Sequence, residues 1–70
     1  MSLKSERECK GMTQAELADK SGVSVRMIQH YEQGSKDINK ASVVTVLNLA
    51  EALGVDVYAI INPRQEKRDR

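Results

Sequence analysis

The sequence predicts an all-α fold, a compact bundle of five short helices. Three observations predict it. Ser, Thr or Asp stands ahead of several apolar runs, where an N-cap belongs. Apolar residues recur at three- and four-residue spacing, most clearly after Ala41. Glycines at 11, 22, 34 and 54 each fall where such a run stops. At 70 residues, with no Trp, no Phe and two Tyr, the core must come from Leu, Val, Ile, Met and Ala. A chain this short is near the lower limit for folding alone. One domain is therefore expected over residues 1–62, followed by a charged tail at 63–70 that is expected to be disordered.

The first helix is expected over Ser2 to Lys10, with Ser2 as cap and Gly11 as its end. Met12 is an apolar link into the next element. The second and third helices are expected at Gln14 to Ser21 and Val25 to Gln33. Thr13 and Glu16 stand at capping-box spacing ahead of the first of these. Ser24 is the cap candidate for the second. Between them Gly22 falls at a sharp turn, where it carries no Cβ penalty in a left-handed conformation. Leu17, Ala18, Val23, Ile28 and Tyr31 then share an interior, and the small Ala18 permits a close crossing. This spacing is that of a helix-turn-helix, about residues 14–33.

Gly34 to Lys40 is expected to be a polar loop with Ile38 tucked inward. Ala41 to Leu53 is expected to be the fourth helix, with Val43, Val46, Leu49, Ala50 and Leu53 as its buried stripe. The β-branched run from Val43 to Val46 would also suit a strand, but its length, its spacing and its stop at Gly54 favour a helix. Asp56 is expected to cap a short fifth helix, Val57 to Ile61, which Asn62-Pro63 stops.

Composition excludes several functions. No apolar run reaches the roughly 20 residues of a membrane span. The N-terminus lacks the apolar stretch of a signal peptide, so a cytoplasmic protein is expected. Cys9 is the sole cysteine, which rules out an intrachain disulfide and a cysteine-based zinc cluster. His30 is the sole histidine and lies on another element, so no metal and no cofactor is expected. The same scarcity gives no nucleophile–base pair, and an enzyme is not expected. A net charge of +1 does not by itself mark a nucleic-acid binder.

Five short helices carry TQAELA at the start of the second, SGVS in the turn, MIQHYEQG at the end of the third and LAEALGVDV at the end of the fourth. In this they resemble the phage repressor and Cro-type helix-turn-helix family, the Xre-like regulators. Gln14, Ala18, Gly22, Val23, Ile28, Glu32 and Gly34 stand at family positions, and the resemblance covers about Leu3 to Asn62. It implies a lambda-repressor-like fold, binding to a double-stranded DNA operator, a homodimer and no cofactor. It also implies an ion pair between Arg7 and Glu32, four residues before Gly11 and two before Gly34. Some family members are antitoxins or co-regulators that bind a protein partner.

The physics of the motif points the same way. A helix of about three turns fits the major groove, while the helix before it meets phosphate with its N-terminus. With Ile28 and Tyr31 inward, Val25, Arg26, Gln29 and His30 are left on the other side. Arg26 is the residue expected to read a base, as a two-pronged donor to guanine. Val25 suits a thymine methyl, and Gln29 and His30 suit base edges. Gln14, Ser24, Lys36 and Lys40 are expected on phosphates, although Asp37 dilutes the field of the two lysines; the resemblance also implies that Gln14 braces the third helix. By itself such a polar face is only a solvated one; the motif is what gives it this meaning.

Val44, Leu47 and Tyr58 fit a monomer poorly and are expected to form a dimer or partner surface. Two functions follow. One is a sequence-specific transcriptional regulator, a repressor. The other is a protein-interaction module, such as an antitoxin or co-regulator, docking through its C-terminal helices.

Overall fold

Local hydrogen bonds decide where each element starts. In the computed structural model, which describes residues 2–61, α1 spans Leu3–Cys9. The Ser5 amide donates to Ser2 Oγ at 3.1 Å, and the Ser2 amide donates to Ser5 Oγ at 2.9 Å. α2 spans Gln14–Ser21. Its capping box is formed by the Glu16 amide on Thr13 Oγ1 at 3.0 Å and the Thr13 amide on Glu16 Oε1 at 2.8 Å. Reciprocal caps of this kind satisfy two amides that a helix start leaves without partners. α3 spans Val25–Gln33, with the Met27 amide donating to Ser24 Oγ at 3.1 Å.

The link between α2 and α3 is tight because Gly22 takes φ +76°, and its amide donates to Ala18 O at 2.9 Å. Ser21, buried beside it, accepts from the Val23 amide at 3.1 Å through its hydroxyl. A short 3-10 turn, Ile38–Lys40, follows with Asp37 as cap. α4 spans Val43–Leu53 and ends at Gly54. A second 3-10 turn, Val57–Ala59, is capped by Asp56. No strand occurs among the described residues.

Four expectations are corrected. The described residues hold four α-helices and two 3-10 turns, not five α-helices. Asp56 caps as expected, but the segment after it winds only as a single 3-10 turn over Val57–Ala59. The start of α4 lies two residues later than expected. Ser42 caps it, accepting from the Thr45 amide at 3.1 Å, and Ala41 closes the preceding turn instead. Val43 is not part of the buried stripe: it is 72% exposed. It occupies the first turn of α4, on the flank of the stripe, where no other element covers it. The expected tail at 63–70 and the stop at Asn62-Pro63 lie outside the described residues.

The core is aliphatic. Leu17, Ile28 and Leu49 are fully enclosed, with Leu3, Leu53 and Ile60 close behind. α2 packs against both α3 and α4, and α1 leans on α3. Enclosing each such side chain contributes about 1.5–3 kcal/mol. Ile38 is half-buried against this cluster, as are Met12, Val23 and Tyr31. Ile28 therefore pins α3 by one side and turns its opposite side to solvent.

Candidate nucleic-acid interface

With Ile28 enclosed, helical periodicity decides what α3 shows. Arg26, Gln29 and Gln33 are exposed, at steps of three and four residues, and form one outward strip. Val25 and His30 are half-buried on its two flanks. His30 Nδ1 is covered and has no hydrogen-bond partner, which leaves Nε2 as the ring nitrogen that faces outward. Gln33 belongs to the strip although sequence reading passed over it. Its position seven residues after Arg26, two full turns on, was the available signal.

Around this strip lie the other candidates. Ser24 is exposed; its oxygen is engaged by the Met27 amide, and its hydroxyl proton remains free to donate. Lys36 and Lys40 are exposed and border a shallow cleft of about 190 Å³ against Met27 and Tyr31 of α3. Asp37 borders the same cleft. The two lysines are thus beside α3, with an opposing charge between them.

Behind the strip runs a polar network. Arg7 Nε donates to Glu32 Oε2 at 2.7 Å, and Nη2 donates to Oε1 at 3.0 Å. Arg7 Nη1 donates to the Met12 carbonyl at 2.7 Å. Gln14 Nε2 donates to Glu32 Oε1 at 2.9 Å, and Gln29 Nε2 donates to Gln14 Oε1 at 3.5 Å. Gln14, half-buried at the first position of α2, therefore faces α3.

The Arg7 and Glu32 side chains are only 11% and 4% exposed. A paired, two-pronged charge at that depth is screened far less than one at the surface. Burial pushes the Glu32 carboxyl towards its neutral form. The hydrogen bonds from Arg7 and Gln14, with the Arg7 charge, outweigh this and hold its pKa below the ordinary value. The Arg7 guanidinium is held above its own ordinary value, mainly by the bond to Glu32. The network ties α1, the start of α2 and the end of α3 into one unit.

A different surface lies on α4 and the second 3-10 turn. Val43, Val44, Leu47 and Tyr58 are more than half exposed there. A cleft of about 250 Å³ reaches two of them, Val43 and Leu47; Asn39, Ala41, Val46, Val57 and Ile61 complete its lining, none of it charged. Cys9 is exposed on α1, and among the described residues no group of His, Cys, Asp and Glu side chains could hold a metal ion. No helix among those residues is long and apolar enough to cross a membrane.

Comparison with known proteins places this geometry. A helix-turn-helix family model matches residues 3–60. A protein of Sinorhizobium fredii (strain NBRC 101917 / NGR234), named as an uncharacterized HTH-type transcriptional regulator, y4dJ, is 35% identical over 60 residues. The match covers 86% of this chain and 74% of that protein. No solved structure matches the chain.

Proposed function

The chain belongs to the Xre/Cro-like helix-turn-helix family of DNA-binding transcriptional regulators, and from that premise we propose that it is a repressor that reads an operator by laying α3 in the major groove. The observation that supports this is the outward strip of Arg26, Gln29 and Gln33 on a helix pinned from behind by Ile28. Arg26 reads guanine through its paired donors, and Gln29 reads a base edge one turn on. Val25 and His30 meet the groove at its walls, His30 through Nε2. Gln14 and Ser24 bond phosphate at the starts of α2 and α3, where free amides and the helix dipole favour an anion. Lys36 and Lys40 add loop contacts to the backbone.

The protein acts as a homodimer. The uncharged cleft, bordered by Val43 and Leu47, and the exposed Val44 and Tyr58 support this reading, since exposed apolar residues gathered on a small domain mark a partner surface. A twofold pairing through that surface sets two copies of α3 about 34 Å apart, one turn of B-DNA. The same surface favours a second reading, in which the chain is an antitoxin or co-regulator and another protein occupies the patch. Sedimentation of the purified chain decides between them. A monomer at high concentration removes the homodimer.

A fluorescence-anisotropy titration over a salt series tests the DNA reading. Affinity should fall steeply as salt rises, because counterions are released from the phosphates. Arg26→Ala should cost about 1–3 kcal/mol on the selected operator and much less on random duplex. Equal losses on both would reduce Arg26 to a phosphate contact.

A further inference from the structure

The buried end of α3 reaches the helix's exposed strip through three side chains in series: Glu32, Gln14 and Gln29. A carboxylate accepts hydrogen bonds and donates none. Glu32 Oε1 therefore takes its 2.9 Å bond from the NH2 of Gln14, which fixes which way round that amide lies. Gln14 Oε1 is then turned to Gln29, and it too can only accept. Gln29 must offer it an N–H, across 3.5 Å at the long edge of hydrogen-bond range. What remains free on Gln29, in solvent, is its carbonyl oxygen and one N–H.

We propose that Glu32 is a positioning residue for base recognition, which sets the polarity of the Gln29 amide through Gln14 and so directs Gln29 to adenine. The inference rests on α3 lying in the major groove. An unconstrained glutamine amide turns readily about its last torsion and offers its oxygen and its NH2 to either side. Held by Gln14, it offers one acceptor beside one donor, the set that adenine N6–H and N7 require. Guanine offers two acceptors, O6 and N7, and asks for two donors. Gln29 has only one N–H left to give. The ion pair with Arg7 keeps Glu32 ionised and in place, so a contact made at the back of the domain determines which base is accepted at the front.

Selection of bound sequences from a random duplex pool tests this. The chains compared are the parent, Gln29→Ala, Gln14→Ala, Glu32→Gln and the Gln14→Ala/Gln29→Ala double variant. Each is used at a temperature where circular dichroism shows it folded. The parent should prefer adenine over guanine at one position by about tenfold, and Gln29→Ala should erase that preference. Gln14→Ala and Glu32→Gln should each bring the same preference towards unity, while positions read by Arg26 keep theirs. In the double variant Gln14→Ala should remove nothing further there. If Glu32→Gln does not fold, Gln14→Ala decides alone, backed by the Gln29 side-chain NH2 signals in nuclear magnetic resonance, which Gln14→Ala should shift. A parent that enriches no sequence ends the DNA reading and this inference with it. A parent that enriches sequences, with the base profile unchanged by Gln14→Ala and affinity lowered evenly on all duplexes, overturns the relay alone. A profile that Gln29→Ala leaves intact overturns it equally.

Discussion

The half of the domain made by α1, α2 and α3 and the half made by α4 and the second 3-10 turn are held by different forces. In the first, an ion pair and two glutamines tie three helices together, and what projects outward is polar. In the second, polar contacts are local caps at Ser42 and Asp56, and packing is aliphatic: Val46, Leu49, Ala50 and Leu53 face the core while Val43, Val44, Leu47 and Tyr58 are exposed. Directional bonds hold side chains at fixed angles, which suits the recognition of base edges. Apolar area is non-directional and suits burial against another apolar surface. Under the proposed function, DNA meets the first side of the molecule and a partner protein the second.

The largest perturbation strikes the core that the two halves share. Ile28→Ala empties a fully enclosed site, and thermal melts should show a loss of about 2–5 kcal/mol. A small domain has little more than that in total. A loss under 1 kcal/mol would mean that α3 is not anchored where Ile28 sits.

Next comes the polar half alone. Glu32→Ala strands Arg7 and removes the acceptor of Gln14, at a cost of about 2–4 kcal/mol, between the ranges for exposed and for buried pairs. For a domain of this size that is a drop in Tm of more than about 10 °C. A melt indistinguishable from the parent would reduce the network to two surface charges.

Acid isolates the same force. The folded pKa of Glu32 lies below its unfolded value of about 4.3. Its stabilisation is therefore fully present above that value and is lost as pH falls through the lower, folded one. Urea melts of the parent should show this loss below about pH 4.3. Glu32→Gln, which has no proton to gain there, should lose correspondingly less over that window.

The smallest effect on stability, and the largest on assembly, belongs to the apolar half. Leu47→Lys changes an exposed position, so the monomer's stability should move by no more than about 0.5 kcal/mol. Sedimentation should nevertheless shift from dimer to monomer. An unchanged sedimentation profile would place the pairing surface elsewhere.

The same contrast explains which features were legible in the sequence. α2 and α3 were readable to the residue because Thr13, Glu16, Gly22, Ser24 and Gly34 act locally, each through its own backbone neighbours. The stripe of α4 was readable from its period and its end from Gly54, but not its start. Ser42 is an equally good cap, yet it is hidden behind Ala41, which a helix would also accept. Val43 fits the period and is still uncovered, because whether a neighbour reaches the first turn of a helix is a tertiary fact. The length of the last element was misjudged for a similar reason, since a cap fixes where winding starts and not how far it continues. At the site, the outward side of α3 followed from Ile28 by geometry, and the resemblance pointed to Gln14 as a brace on that helix; that it meets Gln29 is a contact between two helices which neither segment specifies alone.

Gly22 holds its left-handed conformation in open space, since a Cβ built there would meet nothing within 4 Å. The demand is thus on handedness and not on volume. A chemically synthesised chain with D-alanine at this bend would keep the fold and lose freedom only when denatured, for a gain of about 0.4–1 kcal/mol. Its mirror-image counterpart, ordinary alanine, would strain the corner that aims α3. The direction in which α3 leaves the turn is thereby set by the chirality of one carbon atom that the natural residue leaves undefined.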